Sequence, residues 1–354
     1  MTNVDLEDLL IGGPSVSPKH LYKFLGECSK AYKIFRILYA AVKVGLFNHL
    51  STPKTVDELC RLLNVDLELT RNICKILADV GLLEESDGAY KNSEISDIYL
   101  RSCSPLFQYH VFKSLERGFR LWDKLAKILK SGPIVINERS FFRRHVDPIA
   151  SELLCGTLQK VVRVVARLPE FKRAKKLLDL GGGHGLYAIA FTKLNSNLEA
   201  YVFDLPEVLE HTRRYIKRFN ARRVKLIAGD FFKDDIGRDY DIIFFSSNPG
   251  GKNPQLIPKI HSSLKPGGLF INKHVFYRLG EFSKNPLLDL EWSLTAWKNL
   301  KKEKRVYSFK GDLCFEDYIK LLKEKFLIVK IMDARNLANP PLSKVGDSLD
   351  VKII

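Results

Sequence analysis

The sequence of 354 residues has no apolar run that approaches the roughly 18 residues of a membrane-spanning helix. Its six cysteines lie far apart, without a CxxC pair and without histidines at the spacing of metal ligands. It also lacks the basic start and the following apolar segment of a secretory signal. From these absences we expect free thiols, no metal site, no membrane association and a cytoplasmic location.

Positive charge is in excess: the chain has 57 basic and 41 acidic residues, which gives a net charge of +16. Such an excess permits attraction to nucleic acid or to anionic small molecules and establishes neither. Basic side chains form one local group, at Arg213, Arg214, Lys217, Arg218, Arg222 and Arg223. We interpret this group as a solvated helix face rather than a nucleic-acid surface.

The N-terminal part of the chain has a pattern of helices followed by a hairpin. Apolar residues at helical spacing predict a helix over 29–50, and Thr55 with Glu58 forms the capping box of another helix. A third helix over 67–80 leads to an Asp-Gly turn at 87–88 between short extended runs, which predicts a hairpin. Together these elements are typical of a winged helix.

In a DNA-binding winged helix the third of these helices reads the major groove, and Arg71, Asn72 and Lys75 are polar side chains suited to that role. The same segment carries acidic side chains at Asp66, Glu68 and Asp79. Because these acidic groups repel phosphates, we favour dimerisation or the formation of a lid over DNA recognition.

Helical patterns over 106–130 and 148–168 precede a change of pattern at residue 177. From there, short apolar runs alternate with helical segments, at 177–180, 200–203, 224–227, 242–245, 269–271, 326–332 and 351–354. This alternation predicts βαβ units around a largely parallel sheet, and the final two runs, which no long helix separates, predict an antiparallel edge. We therefore predict an α/β protein with two domains, 1–147 and 148–354.

The strongest chemical signal is the sequence DLGGGHG at 179–185, where an apolar strand enters a glycine turn and then a helix. Glycine lets a backbone approach a ligand closely, and the start of a helix offers free N–H groups. Asp204 ends the next apolar run, where a carboxylate accepts hydrogen bonds from ribose hydroxyls. Leu186 breaks the G-x-G-x-x-G pattern of NAD-binding proteins, so a different nucleotide-like ligand is favoured.

Four motifs occur in order, DLGGGHG at 179–185, FDLP at 203–206, GDFF at 229–232 and KPGG at 265–268. Over roughly residues 20–354 the chain resembles the S-adenosylmethionine-dependent small-molecule O-methyltransferases that carry a winged-helix dimerisation domain. The resemblance implies a Rossmann-like methyltransferase domain, with a mostly parallel sheet and an antiparallel edge, preceded by a mostly helical winged-helix domain. It also implies a homodimer that uses S-adenosylmethionine.

Carried over by position, the resemblance implies a set of cofactor-binding residues: Asp179, Gly181, Gly183, Gly185, Asp204, Leu205, Asp230, Phe231 and Ser246. The glycines would approach the amino-acid end of the cofactor, Asp204 would hold the ribose, and Asp230 with Phe231 would hold adenine. For two residues a structural role is an equal alternative, since Asp179 can cap the turn and Phe232 can belong to the core.

The chain differs from the family at the residue that removes the proton of the methyl acceptor. The family's usual catalytic histidine falls on Gly250, and Ser246 stands where the family often has lysine. Of the remaining histidines, His274 follows the fifth strand and is our candidate catalytic base. Two alternatives stay open, namely that His274 has only a structural role and that an acceptor already ionised needs no base.

The resemblance also places candidate acceptor-pocket residues, at Phe107, Trp122, Leu154, Leu158, Asn248 and Trp292. Ordinary core packing is the alternative for this set. We predict a methyltransferase that acts on a small molecule, with the acceptor atom (O, N, S or C) left open. The alternatives are a cofactor-binding winged-helix regulator without catalysis and, because of the positive charge, an RNA methyltransferase.

Overall fold

A computed structural model describes residues 10–282 and 285–333 and the backbone of 351–353. Contacts divide the chain into two compact units, Met1–Tyr109 and His110–Ile354. The sequence placed the domain boundary after residue 147, whereas by contacts residues 110–147 group with the second unit. As a division by role, the boundary at 147 stays a prediction. None of the helices in the described part of the chain is both long and apolar enough to span a bilayer.

From residue 13 onward, the first unit contains four α-helices, α1 (Lys19–Val44), α2 (Val56–Leu63), α3 (Leu67–Asp79) and α4 (Glu94–Tyr99). Its three strands, β1 (Lys54–Thr55), β2 (Leu83–Ser86) and β3 (Ala89–Asn92), form an antiparallel sheet in the order β1-β3-β2. The helix predicted over 29–50 begins earlier and stops at Val44, because Gly45 adopts a left-handed conformation with φ of 78°. A short 3₁₀ turn, Leu46–His49, follows it.

The predicted capping box and hairpin are both present in the first unit. The backbone N–H of Glu58 donates to the Thr55 hydroxyl over 3.3 Å, and the N–H of Thr55 donates to the Glu58 carboxylate over 2.7 Å. The hairpin turn has positive φ at Asp87 (51°) and Gly88 (74°), as a two-residue type I′ turn requires. The local sequence signals therefore fix the ends of α2, β2 and β3.

The second unit contains ten helices within its described residues: α5 (Tyr109–Trp122), α6 (Leu125–Ser131), α7 (Glu138–Glu152), α8 (Leu158–Ala166), α9 (Pro169–Arg173), α10 (Leu186–Leu194), α11 (Pro206–Arg218), α12 (Leu256–Ser263), α13 (Pro286–Ser293) and α14 (Phe315–Lys323). Its strands are β4 (Ile134–Ile136), β5 (Lys176–Leu180), β6 (Glu199–Asp204), β7 (Val224–Ala228), β8 (Tyr240–Ser246), β9 (Leu264–Val275), β10 (Thr295–Trp297), β11 (Met332–Asp333) and β12 (Val351–Ile353).

Seven of these strands form one sheet in the order β11-β12-β9-β8-β5-β6-β7. The five from β9 to β7 are parallel, and β12 is antiparallel to both β9 and β11. This arrangement confirms the Rossmann-like sheet and its antiparallel edge. The strand order reverses beside β5, which has β6 on one side and β8 on the other, and ligands of such sheets bind at the carboxyl ends of strands at this point.

Two predicted elements differ from the structure. The strand predicted over 326–332 is reduced to Met332–Asp333. Apolar side chains before it pack against the core while their backbone forms no strand pairing. Phe326, for instance, lies against His261 with ring centroids 5.2 Å apart. The helix predicted over 148–168 is interrupted between α7 and α8 by a π turn, Leu153–Thr157, in which Gly156 has φ of 126°. Glycine makes this break possible.

Side chains of β5 alternate between the two faces of the sheet. Leu177 lies in the core that includes residues of α8, α10 and α11, and Leu178 and Leu180 lie in the opposite core with residues of α12. The alternation turns Asp179 toward the first core, where it is 1% exposed. A carboxyl group is therefore buried directly beneath the glycine turn.

Candidate active site

The glycine turn, residues 181–185, connects β5 to α10 with positive φ at Gly181 (64°), Gly183 (57°) and Gly185 (70°). A Cβ at Gly185 would lie 2.6 Å from a methyl carbon of Thr212, so close packing also requires glycine there. Within the described residues, and apart from its two chain neighbours, no heavy atom lies within 4 Å of a Cβ built at Gly183. The turn is therefore packed from behind and open at Gly183, as a backbone that receives a ligand must be.

Asp204, at the carboxyl end of β6, is fixed against this turn. Its Oδ2 accepts the N–H of Gly183 over 2.8 Å, and its Oδ1 accepts the N–H of Leu205 over 2.7 Å. A carboxylate accepts about four hydrogen bonds, so acceptor positions remain for two ribose hydroxyls. Burial raises the pKa of Asp204 to about 6, although the two N–H donors act in the opposite direction.

Phe231 and Asn248 complete the wall of the site at the carboxyl end of β5. A Cβ built at Gly181 would meet Nδ2 of Asn248 at 2.7 Å and the Phe231 ring at 3.2 Å. The same Nδ2 donates to the carbonyl of Leu180 over 3.0 Å. An aromatic ring therefore lies beside the glycine turn, as the binding of an adenine ring requires.

Asp230 is engaged within its own turn. Its Oδ1 accepts the N–H of Phe232 over 3.0 Å, and its Oδ2 lies 3.3 Å from the Lys233 ammonium. Phe232 packs against the core on the α12 side, which supports the alternative interpretation of that residue. Ser246, the last residue of β8, is half-buried, with its hydroxyl 3.4 Å from that of Ser247.

Asp179 supports the turn from beneath. A Cβ at Gly182 would lie 2.6 Å from its Cγ, and among the described residues its Oδ2 has no hydrogen-bond partner. Burial raises the pKa of this carboxyl to about 7. These contacts favour the alternative in which Asp179 shapes the turn rather than touching the cofactor.

His184 also stabilises the turn: its Nδ1 accepts the N–H of Leu186 over 3.0 Å, and burial lowers its pKa to about 4.

His274, the candidate base, is 4% exposed and uses both ring nitrogens within the protein. Its Nε2 accepts the N–H of Asn248 over 3.0 Å, and its Nδ1 donates to Oδ1 of Asn272. Burial holds the pKa of His274 well below its ordinary value, so the ring is neutral. This geometry does not support the role of catalytic base and indicates instead that His274 positions the loop 247–252.

Position 250, where the family's histidine would stand, is closed by its neighbours. A Cβ at Gly250 would lie 2.5 Å from Cδ1 of Leu256, 2.8 Å from the Phe231 ring and 3.0 Å from the Phe245 ring. At Gly251 a Cβ would lie 2.0 Å from Nε2 of His274. The space for a histidine side chain is thus filled, and the substitution by glycine is part of the packing.

Of the candidate acceptor-pocket residues, the structure brings Asn248 to the glycine turn. Leu158 is buried in the core that contains α8, and Leu154 packs against the same core. Trp292 belongs to an aromatic cluster, with its ring centroid 5.7 Å from that of Trp297, and its Nε1 donates to the carbonyl of Glu303 over 2.9 Å. These three residues fit the alternative of core packing.

Two further candidates of that set come from segments distant from the turn in sequence. Phe107 belongs to the first unit and stacks on Tyr109, with ring centroids 5.9 Å apart. Trp122 is half-buried at the end of α5. For both residues a role in the acceptor pocket stays a prediction.

Thr212 of α11 is a site residue that the sequence did not indicate. Its hydroxyl donates to the carbonyl of Gly183, its methyl group packs against Gly185, and it is fully buried. Its sequence context is an ordinary polar helix, so only the packing of α11 against the turn reveals it. Thr212 thus holds the carbonyl of Gly183, whereas Asp204 holds its N–H.

Comparisons with known proteins follow the division seen in the fold. The sequence profile of the O-methyltransferase dimerisation domain matches residues 27–102, and that of the O-methyltransferase domain matches residues 144–273. An uncharacterised protein of Methanocaldococcus jannaschii is 43% identical over 336 residues, 93% of this chain and 90% of its own length. Human acetylserotonin O-methyltransferase is 26% identical over 318 residues, 82% of this chain and 90% of its own.

Solved structures share the fold along nearly the whole chain. An O-methyltransferase family protein from Burkholderia thailandensis superposes with a TM-score of 0.70 at 19% identity, covering 96% of this chain and 97% of its own. Human N-acetylserotonin methyltransferase, solved in complex with S-adenosylmethionine, superposes with a TM-score of 0.66 at 20% identity, covering 96% and 98%. With its two matching domains, the chain belongs to the S-adenosylmethionine-dependent O-methyltransferase family that carries a dimerisation domain.

Proposed function

We propose that this protein transfers a methyl group from S-adenosylmethionine to a small-molecule acceptor. The observation that carries the proposal is the open backbone at Gly183 beside Asp204, whose carboxylate keeps acceptor positions for the ribose. Phe231 would stack on adenine, and the glycine turn would meet the amino-acid end. When bound, the cofactor supplies an electrophilic methyl group, and the chain's own residues orient it.

This protein differs from its family's pattern in lacking the usual base that removes the proton of the acceptor. Position 250 offers no base, and both nitrogens of His274 are engaged with Asn248 and Asn272. We therefore propose an acceptor that reaches the site already ionised, such as a carboxylate or an acidic phenol. The rate acceleration then comes mainly from alignment of the nucleophile with the methyl group. Oxygen is the acceptor atom that the family favours.

We also propose that the protein acts as a homodimer in the cytoplasm, with its winged helix serving dimerisation. The matching dimerisation profile and the exposed apolar residues of α1 support the dimer, and six free cysteines support a reducing compartment. Acidic side chains at Glu68 and Asp79 on α3 argue against a DNA-reading role for that helix.

The function is tested by incubating the protein with S-adenosylmethionine labelled in its methyl group and with a metabolite extract. We expect label in one or a few small products, identified by mass spectrometry, and much less label with Asp204→Ala at a cofactor concentration that does not saturate it, because this variant loses the ribose contacts. Binding of the cofactor without transfer of label to any product would contradict the proposal and favour the non-catalytic regulator.

A further inference from the structure

Helices α5, α7 and α11 of the second unit surround a cleft of about 570 Å³. Five basic side chains line it, namely Lys113, Arg117, Arg143, Arg144 and Arg214. They come from three helices that are distant in sequence, so the fold, and not a local run of charge, brings them together. The function proposed above makes no use of this cleft.

The acidic side chains of the cleft are already engaged by its own basic and polar groups. Oδ2 of Asp147 lies 3.1 Å from Nδ1 of His211 and 3.2 Å from the Arg214 guanidinium, and Oδ1 accepts the Tyr215 hydroxyl over 3.2 Å. Burial opposes the ionisation of Asp147, yet these partners hold its pKa below the ordinary value. A fixed and compensated carboxylate repels a second anion only weakly.

The second acid, Glu210, lies 3.7 Å from the Arg143 guanidinium at the rim of the cleft. With five basic and two acidic side chains, the lining keeps a net positive charge. A concave surface with charge of one sign concentrates small ions of the opposite sign. An anionic group is therefore the chemistry that this cleft recognises.

The cleft borders directly on the cofactor turn. His211 lines the cleft, and the next residue, Thr212, donates its hydroxyl to the carbonyl of Gly183 and packs against Gly185. A single turn of α11 thus contacts the glycine turn on one side and the basic cleft on the other. The cleft therefore adjoins the helix that packs on the glycine turn, which is the turn proposed to hold the cofactor.

We propose that this cleft binds an anionic group, a phosphate or a carboxylate, of the methyl acceptor, so that the substrates of this enzyme are small anionic molecules. The inference rests on the proposed function and narrows its substrate class. The anionic group is an anchor and is not itself methylated. The positive lining also favours the ionised form of a neighbouring acceptor hydroxyl, which compensates for the missing base at position 250.

The site is tested first by binding, without turnover. Inorganic phosphate and acetate are titrated by calorimetry into the protein saturated with S-adenosylhomocysteine. We expect one saturable site, with affinity about tenfold weaker in the double variant Lys113→Gln/Arg117→Gln, since two solvent-accessible charges are removed. The matched control Lys127→Gln/Lys130→Gln, which removes two exposed charges from α6, keeps the parent's affinity. Failure of both anions to bind the parent, or equal binding by the cleft variant, overturns the proposal.

The substrate class is tested by the chemistry of the labelled product. We expect methyl label in products that an anion-exchange column retains; loss of retention after phosphatase treatment identifies a phosphate, and persistence identifies a carboxylate. Label in neutral small products leaves the proposed function intact and overturns the inference. Label in nuclease-sensitive polymer overturns it in favour of RNA. If no fraction is labelled, the proposed function fails, and the anion titration alone decides whether the cleft is an anion site.

Discussion

Asp204 is held by two backbone N–H groups and is nevertheless a weak acid, because burial raises its pKa to about 6. Ribose hydroxyls donate more strongly to the ionised carboxylate than to the protonated one. We therefore expect affinity for S-adenosylhomocysteine to decrease as the pH falls through about 6. Calorimetry between about pH 5 and pH 8 measures this dependence.

The variant Asp204→Asn serves as the control for that titration, because its amide cannot ionise. Its affinity at about pH 7.5 should be lower than the parent's by about 1.5 to 3 kcal/mol, and should stay constant with pH. Equal affinity of the parent and Asp204→Asn at about pH 7.5 would show that Asp204 does not bind the cofactor.

Asp179 makes a prediction about stability. Burial raises its pKa to about 7 in the folded protein, against an ordinary value of 3.8, so folding favours the protonated form. This group's contribution to the free energy of unfolding therefore falls as the pH rises from about 4 through 7. We expect Asp179→Asn, which stays neutral, to gain stability relative to the parent by more than about 1 kcal/mol between pH 5 and pH 8.

Chemical denaturation of both proteins at these two pH values measures the gain from Asp179→Asn. Asp123→Asn, at an exposed position after α5, is the matched control and should show no such change. A constant difference between the parent and Asp179→Asn would mean that Asp179 is ionised in the folded protein over the whole range.

At the scale of elements, the loop 247–252 after β8 is held by His274 through the N–H of Asn248. Glutamine can accept the same hydrogen bond without titrating near neutral pH, so we expect His274→Gln to keep turnover within a few-fold of the parent. The dependence of the rate on pH should also be unchanged. A loss of about 10²- to 10⁴-fold, with cofactor affinity retained, would instead identify His274 as a general base.

The same loop predicts what happens when the family's histidine is restored. In Gly250→His the new side chain meets Leu256 and the rings of Phe231 and Phe245 at distances too short for any carbon atom. We expect the histidine to displace Phe231 and to weaken the binding of S-adenosylhomocysteine by about tenfold or more. Overpacking of a protein interior typically costs about 1–3 kcal/mol. Higher turnover with unchanged cofactor affinity would contradict the packing argument.

The sequence predicts those parts of the fold and site that local chemistry specifies. The capping box at Thr55, the hairpin turn at 87–88 and the glycine turn at 181–185 each follow from residue types within a few positions. The parallel sheet follows from the alternation of apolar runs. Asp204 is predictable because it directly follows an apolar strand, a position that faces the carboxyl edge of the sheet.

Features that depend on distant partners are not predictable in this way. The role of His274 depends on Asn248, which is distant in sequence, and that of Thr212 depends on how α11 packs against the turn. The apolar run 326–332 satisfies a strand pattern equally well when its side chains pack without pairing, as Phe326 does. In each case a tertiary contact determines the role or structure of the residue, and the hydrophobic periodicity of the sequence gives no information about that contact.

At the scale of the whole molecule, α1 predicts the oligomeric state. Its N-terminal half exposes Leu21 (54%), Phe24 (58%) and Leu25 (51%), which lie three and four residues apart on one helix face. A second copy of the chain is the partner that the dimerisation profile indicates. We expect a dimer at micromolar concentration and a monomer for Leu21→Glu/Phe24→Glu, measured by light scattering.

The variant Leu129→Glu provides the control for this dimer, because Leu129 is 75% exposed on α6 and is expected to take no part in the interface. It should remain dimeric, and both variants should bind S-adenosylhomocysteine like the parent. A monomeric parent at micromolar concentration would defeat the assignment of α1 to a dimer interface.

The place of β12 between β9 and β11 has a consequence for the nascent chain. Strands β5, β6 and β7 pair on one side as they are synthesised, and β8 and β9 extend the sheet on the other. The free edge of β9 then has no pairing partner until residues 351–353 have left the ribosome. An unpaired strand edge is a template for association with other chains, so we expect the nascent chain to be prone to aggregation in this interval. A translation product that stops before Val351 keeps that edge permanently and should accumulate as aggregate.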